Sequence, residues 1–292
     1  MLRGMAGLER KTLFAPMFES FTETKRGRTR EIYECTLRKL RAYRADFDSM
    51  GVEEISYEWL CGFEAFLAKT APSRNGRNIH LRNVRTVYYL ALDDGLTLRN
   101  PFRRFRIRAE ETAKRALTEA QLRRLATAGV EPWQEKYRDA FLLMFMLRGI
   151  NAVDFCHLEA PDGRMLRYRR RKTGQLIEVR IEAPAMELIE RLRGERHFLY
   201  PLDRVKDYRR YTARLNKGLQ RIAADLGLPP GLTSYWARHT WATLAAKHDI
   251  PKETIARGLG HTTRTTTDIY IDFDLRKVHA ANRRLLRLLF PE

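Results

Sequence analysis

Three segments in the first hundred residues carry apolar side chains at helical spacing. Ile32, Leu37, Leu40 and Tyr43 recur with a helix period between Thr29 and about Phe47, and Arg38, Lys39, Arg41 and Arg44 among them make a basic outer face. A second helix is predicted from Ser56 to Lys69 with Trp59, Leu60, Phe63 and Phe66 inward. A third runs from Asn78 to Asp94, with Ile79, Leu81, Val84, Val87, Tyr88 and Leu90 inward. The loop between them contains Pro72, Ser73, Asn75 and Gly76. Pro101 lacks an amide donor and biases Asn100 away from helix, so Leu98 to Phe102 turns the chain.

A charged stretch from Arg103 to Arg115 follows and reads as a basic linker. Its end is marked by Leu117-Thr118-Glu119-Ala120-Gln121-Leu122, where Thr118 can cap free amides and Gln121 can complete a capping box. A helix covers Tyr137 to Leu147. Two strands, Met165 to Arg170 and Leu176 to Ile181, flank Lys172-Thr173-Gly174-Gln175; Ile177, Val179 and Ile181 alternate with Glu178 and Arg180, and Gly174 suits the turn. Beyond Ala185 the pattern is helical in four or five pieces. The expected fold is mainly α with a small antiparallel β-sheet, in two domains: residues 1–107, a linker at 108–116, and 117–292.

Charge changes the picture. The chain of 292 residues has 55 Lys and Arg against 36 Asp and Glu, a formal charge of +19, and both halves share the excess. Such a balance favours a polyanionic partner bound through phosphate neutralisation and counterion release. The three cysteines, Cys35, Cys61 and Cys156, have neither disulfide-framework nor zinc-site spacing and read as reduced thiols. No apolar run reaches the roughly 20 residues of a membrane span, and the first residues lack the apolar core of a signal peptide. A cytoplasmic protein with a polyanionic partner and without a membrane partner is expected.

The candidate chemistry lies near the C-terminus. Tyr235-Trp236-Ala237-Arg238-His239-Thr240-Trp241-Ala242-Thr243 is followed by Leu259-Gly260-His261 and then by Asp268-Ile269-Tyr270, with Tyr270 nine residues after His261. Taken together these motifs resemble the catalytic segment of the tyrosine recombinase (phage integrase) family, and within it the conjugative-transposon integrases. The resemblance covers residues 117 to about 290; residues 10 to 110 are similar to the family's helical core-binding, SAM-like domain in length, helix pattern and the Asn100-Pro101-Phe102 exit.

The resemblance implies a site-specific recombinase that cleaves and rejoins double-stranded DNA with no metal and no cofactor. Tyr270 matches the nucleophile that forms a 3′-phosphotyrosine bond. Arg238 matches the second family arginine, whose planar fork of donors suits two phosphate oxygens. His261 matches a phosphate-holding histidine, and Lys172 the hairpin lysine that protonates the leaving 5′ oxygen. His239 is expected to be structural. The family also implies a homo-tetramer in the synaptic complex, with accessory DNA-bending proteins left open.

Two positions depart from the family pattern. Where a histidine usually stands three residues before the second arginine, this chain has Tyr235, which can donate one hydrogen bond but is no cation near neutral pH. Counting back from Asp154, read as a buried orienter, the first-arginine position is Asn151; Arg148 lies one turn further back on the expected helix and is assigned the transition-state role. Two other readings stay open: a degenerate recombinase that binds without cutting, or a regulator in which Ala242 to His261 is a helix-turn-helix. The amphipathic tail from Leu275 to Phe290 either closes its own core or docks on a neighbouring subunit.

Overall fold

A computed structural model describes residues 12–71, 73–112, 115–261 and 274–290. They form two compact units divided after Thr112. The architecture is mainly α with one two-stranded antiparallel sheet among the described residues.

The first unit contains α1 (Phe14–Glu23), α2 (Gly27–Tyr43), α3 (Tyr57–Thr70) and α4 (Arg74–Asp93), with short 3-10 turns at Phe47–Ser49, Val52–Glu54 and Pro101–Arg103. Their core is rich in rings: Phe14, Phe18, Phe47, Phe63 and Tyr88 are fully enclosed with Leu40, Leu60 and Leu81. Helix α1 precedes the first helix read from the pattern. Phe14 and Phe18, one turn apart, drive it into the core, and a bridge between Leu13 and Gly51 fastens its start. Helix α2 stops at Tyr43 rather than near Phe47; Phe47 still reaches the core through the 3-10 turn that follows. The basic face of α2 is partly neutralised, because Arg41 pairs with Glu19 and Asp48, and Arg44 with Asp46.

On α4 the structure corrects two expected core positions. Ile79 and Leu90 are exposed, since they fall on the helix side opposite Leu81, Val84, Val87 and Tyr88. Polar side chains occupy the inward flank instead. His80 Nδ1 and Asn83 Nδ2 both meet Thr36 Oγ1 on α2, at 2.8 and 2.9 Å, which satisfies groups that burial would otherwise penalise. The stretch read as a linker is also partly seated: Asn78 donates to the carbonyl of Arg108, and the Asn75 side chain exchanges two hydrogen bonds with the backbone of Glu110.

The second unit runs through α5 (Glu119–Thr127), α6 (Pro132–Met146), α7 (Ala152–Cys156), β1 (Met165–Arg169), β2 (Leu176–Arg180), α8 (Ala183–Arg191), α9 (Pro201–Arg204), α10 (Tyr208–Asp225), α11 (Ser234–Lys247), α12 (Lys252–Gly258) and α13 (Leu275–Leu289). The capping box opens α5 as expected: Thr118 Oγ1 accepts from the amide of Gln121, and Gln121 Oε1 accepts from the amide of Thr118. Helix α6 is central, with every residue from Ala140 to Met146 buried, and α8, α10 and α11 pack around it. In the sheet, Tyr168 pairs with Ile177 and Met165 with Arg180.

Helix α13 closes the core of its own unit, burying Val278, Leu285, Leu286 and Leu289. Asn282, 2 % exposed, accepts from Trp241 Nε1 at 2.8 Å and donates to the carbonyl of Met146 at 3.0 Å, so it ties α13 to α11 and α6 at once. Asn282→Ala strands a buried indole donor and a buried carbonyl. Unfolding in urea should show a loss of about 2–4 kcal/mol, from the cost of unsatisfied buried groups.

Candidate active site

Helix α6 ends at Met146, and the chain leaves it through two consecutive left-handed residues, Arg148 (φ 61°) and Gly149 (φ 68°). The turn returns the amide of Gly149 to the carbonyl of Met144, which satisfies an orphan acceptor at the helix end. A left-handed conformation suits glycine but is uncommon for arginine. Gly149 is also required by space: a Cβ there would lie 2.4 Å from Arg238 Cα on α11. The close approach puts the Gly149 carbonyl on the Arg238 guanidinium, where Nη1 donates to it at 3.1 Å.

The other arm of Arg238 points to the end of α12. Nη2 donates to the carbonyl of Leu259 and lies 3.3 Å from His261 Nε2. Since a guanidinium only donates, Nε2 accepts, and neutral His261 carries its proton on Nδ1. Burial lowers the proton affinity of His261, and the charges of Arg238 and Arg170 lower it further. Gly260, at φ 65°, makes the turn that presents His261, and it packs so tightly on β2 that a Cβ would meet Ile177 Cδ1 at 2.6 Å.

Arg170, just past β1, completes the group by donating from Nη1 to the carbonyl of Gly260 at 2.8 Å. The basic run of the hairpin does not say which member turns inward, but strand alternation does: Tyr168 faces Ile177 across the sheet, and Arg170, two residues on, shares its side. Tyr168 was likewise not singled out from the sequence. Burial pushes its hydroxyl up to about 12 among the charges of Arg148, Asp154, Arg238 and Arg170.

Arg148 is 3 % exposed, with Nη2 donating to the carbonyl of Glu178 on β2 and a buried Nε that has no partner among the described residues. Burial draws its pKa down to about 10, leaving it charged at neutral pH. It reaches the hairpin from a left-handed turn, not from the helix face on which the sequence had placed it. Asn151 precedes α7, and its carbonyl starts that helix by accepting from the amide of Phe155. Asp154 is buried, and its Oδ1 accepts from the amide of Arg171 at 2.9 Å, clipping the hairpin turn to α7. Lys172 stands exposed in that turn.

Tyr235, half exposed on the first turn of α11, lies edge-to-face against His239. Tyr270 lies outside the described residues, as do Asp268, Ile269, Pro72 and Lys114. The structure thus gathers Arg238, His261 and Arg170, with Arg148 buried behind the hairpin. Burial lowers the pKa of Arg238 and the nearby charge of Arg170 lowers it further, so an anion placed there would relieve both. Among the described residues no cluster of three or more His, Cys, Asp or Glu could hold a metal, and no helix is long and apolar enough to cross a membrane.

Both units match known families. The phage integrase SAM-like domain matches residues 13–107, and the phage integrase family matches residues 115–276. A comparison with curated proteins gave no match. Among solved structures the chain is similar to the Tn1549 transposon integrase in complex with circular intermediate DNA, with a TM-score of 0.63 and 16 % identity over 93 % of this chain and 99 % of that one. It is also similar to lambda integrase, solved as a tetramer bound to a Holliday junction, with a TM-score of 0.65 and 16 % identity over 90 % of this chain and 78 % of that one. Identity at this level speaks to the shared fold. Through the two matched spans, which take in nearly every described element, the chain belongs to the phage integrase (tyrosine recombinase) family.

Proposed function

We propose that the chain is a site-specific recombinase that cuts and rejoins double-stranded DNA through a covalent tyrosine intermediate, with no metal required. The observation that carries this reading is the convergence of Arg238, Arg170 and His261 at the end of α12, nine residues before Tyr270. Cations held at fixed positions by backbone carbonyls are preorganised for the charge that builds on a phosphate in transfer.

In this reading the Tyr270 oxygen attacks phosphorus, losing its proton to solvent as the O–P bond forms, while the bond to the 5′ oxygen breaks. Arg238, Arg170 and His261 hold the non-bridging oxygens. Arg148 adds charge from beneath the hairpin, where its unpartnered Nε is one further donor for an anionic site. Lys172, carried on the turn that Asp154 anchors, gives its proton to the departing 5′ oxygen. The phosphotyrosine keeps the phosphodiester energy, so attack by a 5′ hydroxyl of a second strand reverses the step and rejoins DNA. Tyr235 contributes a hydrogen bond beside Arg238.

Complete recombination involves two such exchanges, which fits a homo-tetramer on DNA; accessory DNA-bending proteins and integration, excision or inversion are all compatible with this chemistry. The charge of +19 predicts DNA affinity that falls steeply with salt. Reading Ala242 to His261 as a separate helix-turn-helix is less compatible with its packing, since Trp241, Leu244, Thr254 and Ile255 are buried and Gly258 abuts the Trp241 ring.

The test uses purified protein and nicked duplexes carrying candidate end sequences. A denaturing gel should show a protease-sensitive protein–DNA adduct with the wild type and none with Tyr270→Phe. An adduct that survives this substitution would remove Tyr270 as the nucleophile. Salt-sensitive binding without any adduct would instead indicate a protein that binds sites without cutting them.

A further inference from the structure

Tyr235 and Arg238 are three residues apart near the start of α11, so their side chains leave the same face of the helix. Tyr235 and Arg238 therefore border the same side of α11. Half of Tyr235 is nonetheless open to solvent (51 %). A tyrosine so exposed would normally exchange among rotamers, and its hydroxyl would spend little time at any one point.

One contact restrains it. The ring of His239, a full turn further along α11, stands at 89° to the Tyr235 ring with centroids 4.7 Å apart. This is the edge-to-face arrangement that aromatic quadrupoles favour. His239 is only partly buried, yet burial and the charges of Arg115 and Arg238 all lower its proton affinity, which favours the neutral ring. A neutral ring can rest beside a guanidinium without the repulsion that an imidazolium would bring.

We infer that His239 is a positioning residue for the strand-transfer step: its ring fixes Tyr235 so that the phenol donates a hydrogen bond to the phosphate held by Arg238, Arg170 and His261. The inference rests on the phosphoryl-transfer reading of that pocket and extends it to a side chain that acts through Tyr235. The alternative is a histidine that merely packs α11, and the two make different predictions.

Single-turnover adduct formation on a nicked duplex, at saturating protein, separates them. His239→Ala should slow adduct formation about three- to tenfold, the range expected for one aromatic pair, with unchanged DNA affinity. His239→Phe keeps an aromatic edge and should recover most of that loss. In a Tyr235→Phe background, where no hydroxyl remains to be positioned, His239→Ala should cost nothing further. An equal loss in both backgrounds, or no loss in either, overturns the inference.

A second readout does not need activity. In proton NMR spectra the His239 ring signals should carry a ring-current shift that Tyr235→Ala removes; signals unaffected by that substitution also overturn it. If the wild type forms no adduct, or if Tyr270→Phe still forms one, the reading of the reaction fails while the NMR experiment still decides the contact.

Discussion

Arg238→Lys should slow formation of the protein–DNA adduct about 10³-fold or more, the scale seen when a preorganised transition-state donor or an arginine at a transferring phosphoryl group is lost. Charge is conserved in this substitution, so the loss comes from geometry. One guanidinium spans the Gly149 carbonyl, the Leu259 carbonyl and His261 Nε2, with both terminal nitrogens in use. An ammonium is a single compact point of donation and cannot span the same acceptors. The side chain is 9 % exposed, so water would not readily replace the lost partners. Single-turnover rates on nicked duplexes check the prediction, and DNA affinity should change little because many other cations share the binding. A rate within tenfold of wild type would show that Arg238 does not organise the transition state.

Gly149→Ala should both destabilise the second unit and displace Arg238. Its backbone sits at φ 68°, a left-handed conformation that costs an ordinary residue about 1–2 kcal/mol. The added methyl would also lie 2.4 Å from Arg238 Cα and 2.9 Å from its Cβ, so α6 and α11 must separate. Overpacking of this kind adds about 1–3 kcal/mol. Urea unfolding should register a total near 3 kcal/mol, and adduct formation should fall along with it, because the substitution displaces the helix that carries Arg238. Gly174→Ala is the control: it has φ 71° in the hairpin turn but nothing within 4 Å of the new methyl, so only the backbone cost remains.

These two positions also show how far the residue pattern reached. Arg238 was legible because its neighbours form a recognisable string, and the capping box at Thr118 and the alternation of Ile177, Val179 and Ile181 announced elements that are present as read. Helix α1 lies ahead of the first helix that the pattern predicts, although Phe14 and Phe18 carry it. Ile79 and Leu90 are read as inward with the helical pattern of α4, yet they fall on the side opposite Leu81, Val84, Val87 and Tyr88 and are exposed. Arg170 could have been found from strand parity with Tyr168, and the basic run around it concealed the signal. Arg148 was picked out from its place in the chain, but the left-handed turn that points it at the hairpin follows from no periodicity.

Local order therefore belongs to the chain as written: where helices start, where the hairpin turns and which string of residues resembles a strand-transfer motif all depend on interactions within one or two turns. The site itself does not. Its defining contacts join Arg238 to Gly149 across 89 positions and Arg170 to Gly260 across 90; the first depends on backbones packed too closely to admit a Cβ at Gly149, the second on a glycine seated against the Ile177 side chain. Contacts at such separations form only after α6, α11, α12 and the hairpin have packed around a common core. Packing density and steric fit, which no sequence window contains, are what place the cations together.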